Sequence, residues 1–137
     1  MHRLGNLEEG MLEYTPRCEG MFAVYPIGFV RKIDERRSAI ELIDRFSDGL
    51  KGIEDNEHIT VLFWMHKLGP EHRRLLQVHP MGDPTKEKKG VFALRSPMRP
   101  NPIGVTRVKL IERRGSTLIV EGLDAFDGSP VIDLKSG

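Results

Sequence analysis

Cysteine is nearly absent: Cys18 is the only one in 137 residues, which excludes an intramolecular disulfide and suits a reducing compartment. Side-chain amides are scarce too. Asn6, Asn56, Asn101 and Gln77 stand against 21 basic and 20 acidic residues, a balance common in heat-adapted proteins, where ion pairs are many. No apolar run approaches the roughly 18 residues of a membrane span. Residues 1–10 carry Glu8 and Glu9 and lack the apolar stretch of a secretory signal, so the protein is expected in the cytoplasm, with no membrane partner. A G-x-G-x-x-G loop is missing, so any nucleotide cofactor must be held by a device other than a dinucleotide-binding turn.

Excess charge is also lacking, since the net value is +1, but its distribution is uneven. Lys86, Lys88, Lys89, Arg95, Arg99, Arg107, Lys109, Arg113 and Arg114 face only Glu87 and Glu112 between positions 86 and 114. A basic segment on a near-neutral protein is what a local polyanion contact needs. On charge alone, a solvated face whose carboxylates come from elsewhere in the fold is the favoured explanation.

The length predicts one domain with one core. Residues 1–20 carry Gly5, Gly10, Pro16 and Gly20 without a clear period and read as an N-terminal arm or extension, leaving 21–137 as the domain. Residues 22–30 are rich in aromatic and β-branched types and predict a strand, at an edge or bent at Pro26, which cannot donate to a ladder. Residues 38–46 fit a helix capped by Ser38, or equally a strand around Ile40 to Ile43. Residues 59–65 are almost wholly apolar and predict a strand buried on both faces. Short strands follow at 89–94 and 131–134, the latter after the turn Asp127-Gly128-Ser129-Pro130. Residues 105–111 and 117–123, joined by Arg113-Arg114-Gly115-Ser116, predict a hairpin. Strands do not alternate with long helices. The expected fold is therefore mostly β: a compact antiparallel β-barrel-like domain with short peripheral helices, not a Rossmann sheet.

The segment Arg95-Ser96-Pro97-Met98-Arg99-Pro100-Asn101-Pro102-Ile103-Gly104 is unusual. Three prolines fix φ and remove three backbone donors, and each residue before a proline is pushed to extended geometry. A loop so stiffened presents two guanidiniums suited to carboxylate or phosphate at a low ordering cost. A structural crossing loop with arginines paired to nearby acids is the other reading.

With the five residues before it, Gly90-Val91-Phe92-Ala93-Leu94, this segment closely resembles the signature of the TrmO/TsaA-like family, G-V-F-A-T-R-S-P-x-R-P-N-P-I-G. Pro26-Ile27-Gly28, Gly49-Leu50-Lys51-Gly52-Ile53, Leu62-Phe63-Trp64-Met65-His66 and Asp127-Gly128-Ser129-Pro130 resemble further family elements in order and spacing. The resemblance implies a compact, non-Rossmann β-barrel methyltransferase working as a homodimer. Its cofactor would be S-adenosylmethionine, and its substrate the N6 of threonylcarbamoyladenosine beside the anticodon of tRNA. Carried over residue by residue, it implies cofactor contacts at His66 and Lys67, at Arg95 and Val105, and along Ala125, Phe126, Asp127 and Gly128. Arg36 is the one match where relatives read P-R-Q and this chain reads Glu35-Arg36-Arg37. The chain also departs where relatives continue D-I-K-P-Y, reading Asp133-Leu134-Lys135-Ser136-Gly137.

Methyl transfer from a sulfonium is an in-line displacement in which positioning supplies most of the catalysis. His66, Asp127 and Asp133 are the candidates for a base at the N6 proton; a strand-end histidine with satisfied hydrogen bonds and a turn aspartate capping backbone are the competing readings. Lys88, Lys89, Arg99 and Arg113 are the candidate RNA contacts. His66, His72 and His79 match no common zinc spacing, so no metal is expected. Phe63 and Trp64 could stack on a base, or belong to the core. Three function classes stay open: the tRNA methyltransferase, a methyltransferase of the same fold with another substrate, and a non-catalytic S-adenosylmethionine- or RNA-binding module.

Overall fold

The computed structural model describes residues 20–137 throughout. Before them it describes only the backbone of two short strands, β1 (His2–Arg3) and β2 (Tyr14–Thr15), which pair antiparallel. The expected N-terminal arm otherwise lies outside the described residues. The chain forms two compact units, one of Val24–His66 with Ile103–Gly137, the other of Met1–Ala23 with Lys67–Pro102.

The first unit is a closed barrel. Its strands are β3 (Gly28–Lys32), β4 (Arg37–Leu42), β5 (His58–Trp64), β8 (Ile103–Arg114), β9 (Thr117–Glu121) and β10 (Pro130–Ser136). They close in the order β10-β3-β4-β9-β8-β5, every pairing antiparallel, so no sheet edge is left over. Register shifts between Val131 and Asp133 and between Leu110 and Glu112 mark bulges, the usual means of bending strands into a barrel. Ile40, Ile59, Val61, Val108, Leu118, Val120 and Val131 fill the interior, with Phe63 and Leu123 among them.

The hairpin falls where predicted, as β8 and β9. Residues 38–46 resolve into the end of strand β4 followed by a 3-10 helix over Asp44–Leu50, so the strand alternative holds as far as Leu42. Three strand expectations need correction. The first strand begins at Gly28, not at position 22: Pro26 has no donor, and Phe22, Val24 and Tyr25 stand exposed. Strand β5 is not buried on both faces, because Ile59, Val61 and Phe63 point inward while Thr60, Leu62 and Trp64 are half-buried on the outside. Leu62 and Trp64 on its outer face are apolar without being core. The strand expected at 89–94 shrinks to β7 (Lys89–Gly90), which pairs with β6 (Gln77–Val78), and Val91–Ala93 turns as a 3-10 helix.

The second unit contains the proline-rich loop. Arg99 donates to the carbonyls of Val91, Leu94 and Ser96, and Arg73 donates to that of Pro100 at 2.7 Å. The loop's own arginine thus ties its backbone to itself.

Candidate functional site

Several of the predicted site residues meet at one end of the barrel. Strand β5 runs out into His66, β9 into Leu123 and Asp124, and β10 is preceded by the turn Phe126–Ser129. His66 Nδ1 lies 3.4 Å from the hydroxyl of buried Ser129. Thr106, beside Val105, donates to Asp124 at 2.6 Å. The turn is sewn to β3: the Lys32 amide donates to Asp127 Oδ1 at 2.8 Å, the Gly128 amide to the Val30 carbonyl at 2.7 Å, and the Val30 amide to the Ser129 carbonyl at 2.9 Å. Gly128 has φ +81°, a left-handed conformation that suits glycine. The Lys32 ammonium caps the Leu123 carbonyl at 2.8 Å.

Arg36 reaches this end too, because its carbonyl accepts from the Gly122 amide at 3.0 Å. It sits in the β3–β4 turn, which Asp34 organises. Asp34 Oδ1 accepts the amides of Arg36 and Arg37, and Oδ2 accepts Nε and Nη2 of Arg37. The backbone amides of Arg37 and Arg36, then the Arg37 side chain, hold the Asp34 carboxyl below the usual carboxylate range.

The surface left at this end combines apolar and acidic character. Phe126 is 61% exposed, Val105 is exposed, Ala125 is buried beneath, and the space outside Gly128 is open. Asp124 and Asp127 supply carboxylates, and the described barrel residues are acidic overall, with 11 basic against 13 acidic side chains. Such a surface suits a ligand that joins a flat apolar face to a positive charge.

Asp133 is placed apart from these groups. It lines a cavity of about 390 Å³ with Ile27, Leu42, Phe46, Leu50 and Ile53, and its two oxygens take the Leu134 amide and the Lys135 ammonium. Phe63 is core, while Trp64 is half-buried outside it. His72 accepts the Gly69 amide and His79 contacts the Lys86 carbonyl. Among the described residues no three His, Cys, Asp or Glu side chains are grouped to hold a metal.

In the second unit, Arg95 lines a groove together with Lys88, and Lys89 is exposed on β7. Lys67 is exposed as well. Arg99 is spent on three backbone carbonyls, and in the barrel Arg113 donates to the Leu50 and Gly115 carbonyls and to Glu54. Sequence reasoning passed over Lys32, Thr106, Asp124 and Ser129. These residues orient the predicted ones across the fold, and only Ser129 falls within a motif the sequence displays, the turn at 127–130.

A closed six-stranded antiparallel barrel with a proline-stiffened insertion between β5 and β8 defines a small non-Rossmann class. The chain belongs to the tRNA-methyltransferase O N-terminal domain family, whose model matches residues 29–136. It is 40% identical over 116 residues to a Methanocaldococcus jannaschii protein named as a probable S-adenosyl-L-methionine-binding protein, covering 84% of this chain and 91% of that one. A tRNA (adenine(37)-N6)-methyltransferase of Mus musculus is 40% identical over 86 residues, which are 63% of this chain and 20% of the mouse protein. The crystal structure of TrmO from Pseudomonas aeruginosa superposes with a TM-score of 0.65 at 28% identity, covering 85% of this chain and 56% of that one. The chain thus spans little more than half the length of that solved structure.

Proposed function

We propose that this chain transfers the methyl group of S-adenosylmethionine to N6 of threonylcarbamoyladenosine next to the anticodon of tRNA. Family membership across residues 29–136 carries the reading, and the name of the mouse relative supports the position and atom methylated. When bound, the cofactor supplies an electrophilic methyl on a sulfonium. The barrel residues proposed to hold it are Arg36, His66, Val105, Ala125, Phe126, Asp127 and Gly128.

Asp127 fixes the turn through the Lys32 amide and so positions Phe126. His66, oriented by Ser129, is the group we assign to receive the N6 proton. Asp133, both of whose oxygens are engaged at the separate cavity, has no part in this assignment. The working form is read as a cytoplasmic homodimer, for which exposed Val24, Tyr25 and Phe29 offer apolar surface. Among the described residues no helix is long and apolar enough to cross a membrane.

The test is methyl transfer from labelled S-adenosylmethionine to tRNA, compared between threonylcarbamoylated and unmodified transcripts. Label confined to the threonylcarbamoylated tRNA is the expected result. Equal label in both would move the substrate elsewhere, and no label in either would overturn the reading.

A further inference from the structure

Burial alternates residue by residue along the segment that leaves β9. Leu123 and Ala125 are packed in the barrel core, while Asp124 and Phe126 are exposed. Side chains two apart in such an alternation share a side, so a carboxylate and an aromatic ring are presented together.

Thr106 on β8 fixes that carboxylate, its hydroxyl donating to Asp124 Oδ1 at 2.6 Å. The donor is neutral. Elsewhere in the barrel unit Asp34, Glu41, Glu54, Glu112 and Asp133 lie against arginine or lysine side chains. Asp124 has no ion pair among the described residues, and the Lys32 ammonium goes to the neighbouring Leu123 carbonyl at 2.8 Å. The Asp124 side chain is therefore held in place while its charge stays unpaired. Asp127, which follows Phe126, instead spends Oδ1 on the Lys32 amide and serves the turn.

We propose that Asp124 is the residue by which this site tells a sulfonium from a neutral thioether, with Thr106 as its positioning residue. The inference rests on the cofactor reading above and deepens it, since it assigns the preference for S-adenosylmethionine over the S-adenosylhomocysteine left after transfer. Those two molecules share adenine, ribose, ammonium and carboxylate, and differ in one methyl group and the charge on sulfur. Apolar contacts with Phe126 and Val105 hold both about equally. Specificity is a difference of affinities, and here only a charged group can supply it. An unpaired carboxylate on the ring's side attracts the sulfonium and gains nothing from the thioether.

The test is calorimetric titration with S-adenosylmethionine and, separately, with S-adenosylhomocysteine. The samples are the unaltered chain, Asp124→Asn, Asp127→Asn, Thr106→Val and Thr106→Ser. Asp124→Asn keeps an oxygen that can accept from Thr106 and removes only the charge.

We expect the unaltered chain to favour S-adenosylmethionine about fivefold, the scale of one exposed charge pair. Asp124→Asn should bring the ratio near one by weakening S-adenosylmethionine alone, and Asp127→Asn should leave the ratio as it was. Thr106→Val should lose part of the preference, and Thr106→Ser, which restores the hydroxyl, should regain it. In the unaltered chain the preference should shrink as ionic strength rises from about 0.02 to about 0.5 M, and in Asp124→Asn it should not respond.

An equal fall in both affinities in Asp124→Asn would overturn the proposal and give the carboxylate to a group that the two ligands share. An unchanged ratio in that variant, or a ratio lost in Asp127→Asn instead, would overturn it as well. A preference untouched in Thr106→Val would remove Thr106 from the assignment. If the unaltered chain binds both ligands equally, the inference falls and the methyltransferase reading stands. If it binds neither, both fall.

Discussion

The ring of Phe63 lies against the α-carbon of Gly104, where a β-carbon would come 2.3 Å from the ring's Cζ. The two residues are cross-strand partners of β5 and β8, and Phe63 is buried in the barrel core. Gly104→Ala must therefore push a packed aromatic ring, at a cost of about 1–3 kcal/mol. Urea denaturation should show that loss, and Phe63→Leu in the same chain should recover part of it through coupling between contacting residues. An unchanged midpoint for Gly104→Ala would mean that the ring moves aside freely.

That contact also shows what could be read in advance. The glycine ending the proline-rich motif was visible in the sequence, but its reason, a phenylalanine some forty positions earlier, is a tertiary fact. Apolar Leu62 and Trp64 on the outer face of β5 masked its inward face. The barrel was legible because the β8–β9 hairpin carries its own pattern and no long helices alternate with the strands. The extent of the first strand was not, since β propensity over residues 22–27 is strong and only the missing donor of Pro26 argues against it. Family likeness singled out His66, Val105 and the 125–128 turn, and the fold brings them to one end of the barrel. The roles of Thr106 and Ser129 were not legible, because each acts through a partner that only folding brings near, Asp124 and His66. Charge counted along the chain suggested an RNA face that included Arg99 and Arg113; the fold commits those two largely to backbone carbonyls.

Ser38 is buried at 1% exposure, and its hydroxyl has no hydrogen-bond partner among the described residues. A buried hydroxyl left unpaired costs about 1–3 kcal/mol of desolvation. Removing it by Ser38→Ala recovers part of that, less a small packing loss. The melting temperature should stay unchanged or rise. A drop of several degrees would show that the hydroxyl is paired in solution.

Arg99 satisfies three carbonyls with one planar guanidinium, an arrangement that a lysine ammonium cannot reproduce. Arg99→Lys should loosen residues 91–99, losing about 2 kcal/mol of local protection. Amide hydrogen exchange would report faster exchange in that segment and an unaltered barrel. Uniform acceleration across both units would contradict the local assignment.

Asp34 links pH to the β3–β4 turn. Its folded-state pKa is depressed below the ordinary carboxyl value of 3.8, so its contribution to stability is fully present above that value and is lost as pH falls through the lower, folded value. Asp34→Asn keeps an acceptor oxygen but no charge. Its denaturation midpoint should lie below that of the unaltered chain at neutral pH, and the two should converge well below pH 3.8. A gap that persists to the lowest pH would trace the effect to geometry rather than ionisation.

His66 and Asp127 separate by role under conservative substitution. Asp127 Oδ1 accepts the Lys32 amide, a bond that an asparagine carbonyl oxygen can also make. Asp127→Asn should therefore keep the turn and most of the methyl transfer, while Asp127→Ala should lose about 1 kcal/mol of stability and bind the cofactor more weakly. His66→Gln keeps a polar group near Ser129 but removes the imidazole. Its rate at saturating cofactor and tRNA should fall about 100-fold or more. If Asp127→Asn instead abolished turnover with cofactor affinity intact while His66→Gln spared it, the carboxylate would be the group that takes the proton, and the assignment of His66 would be reversed.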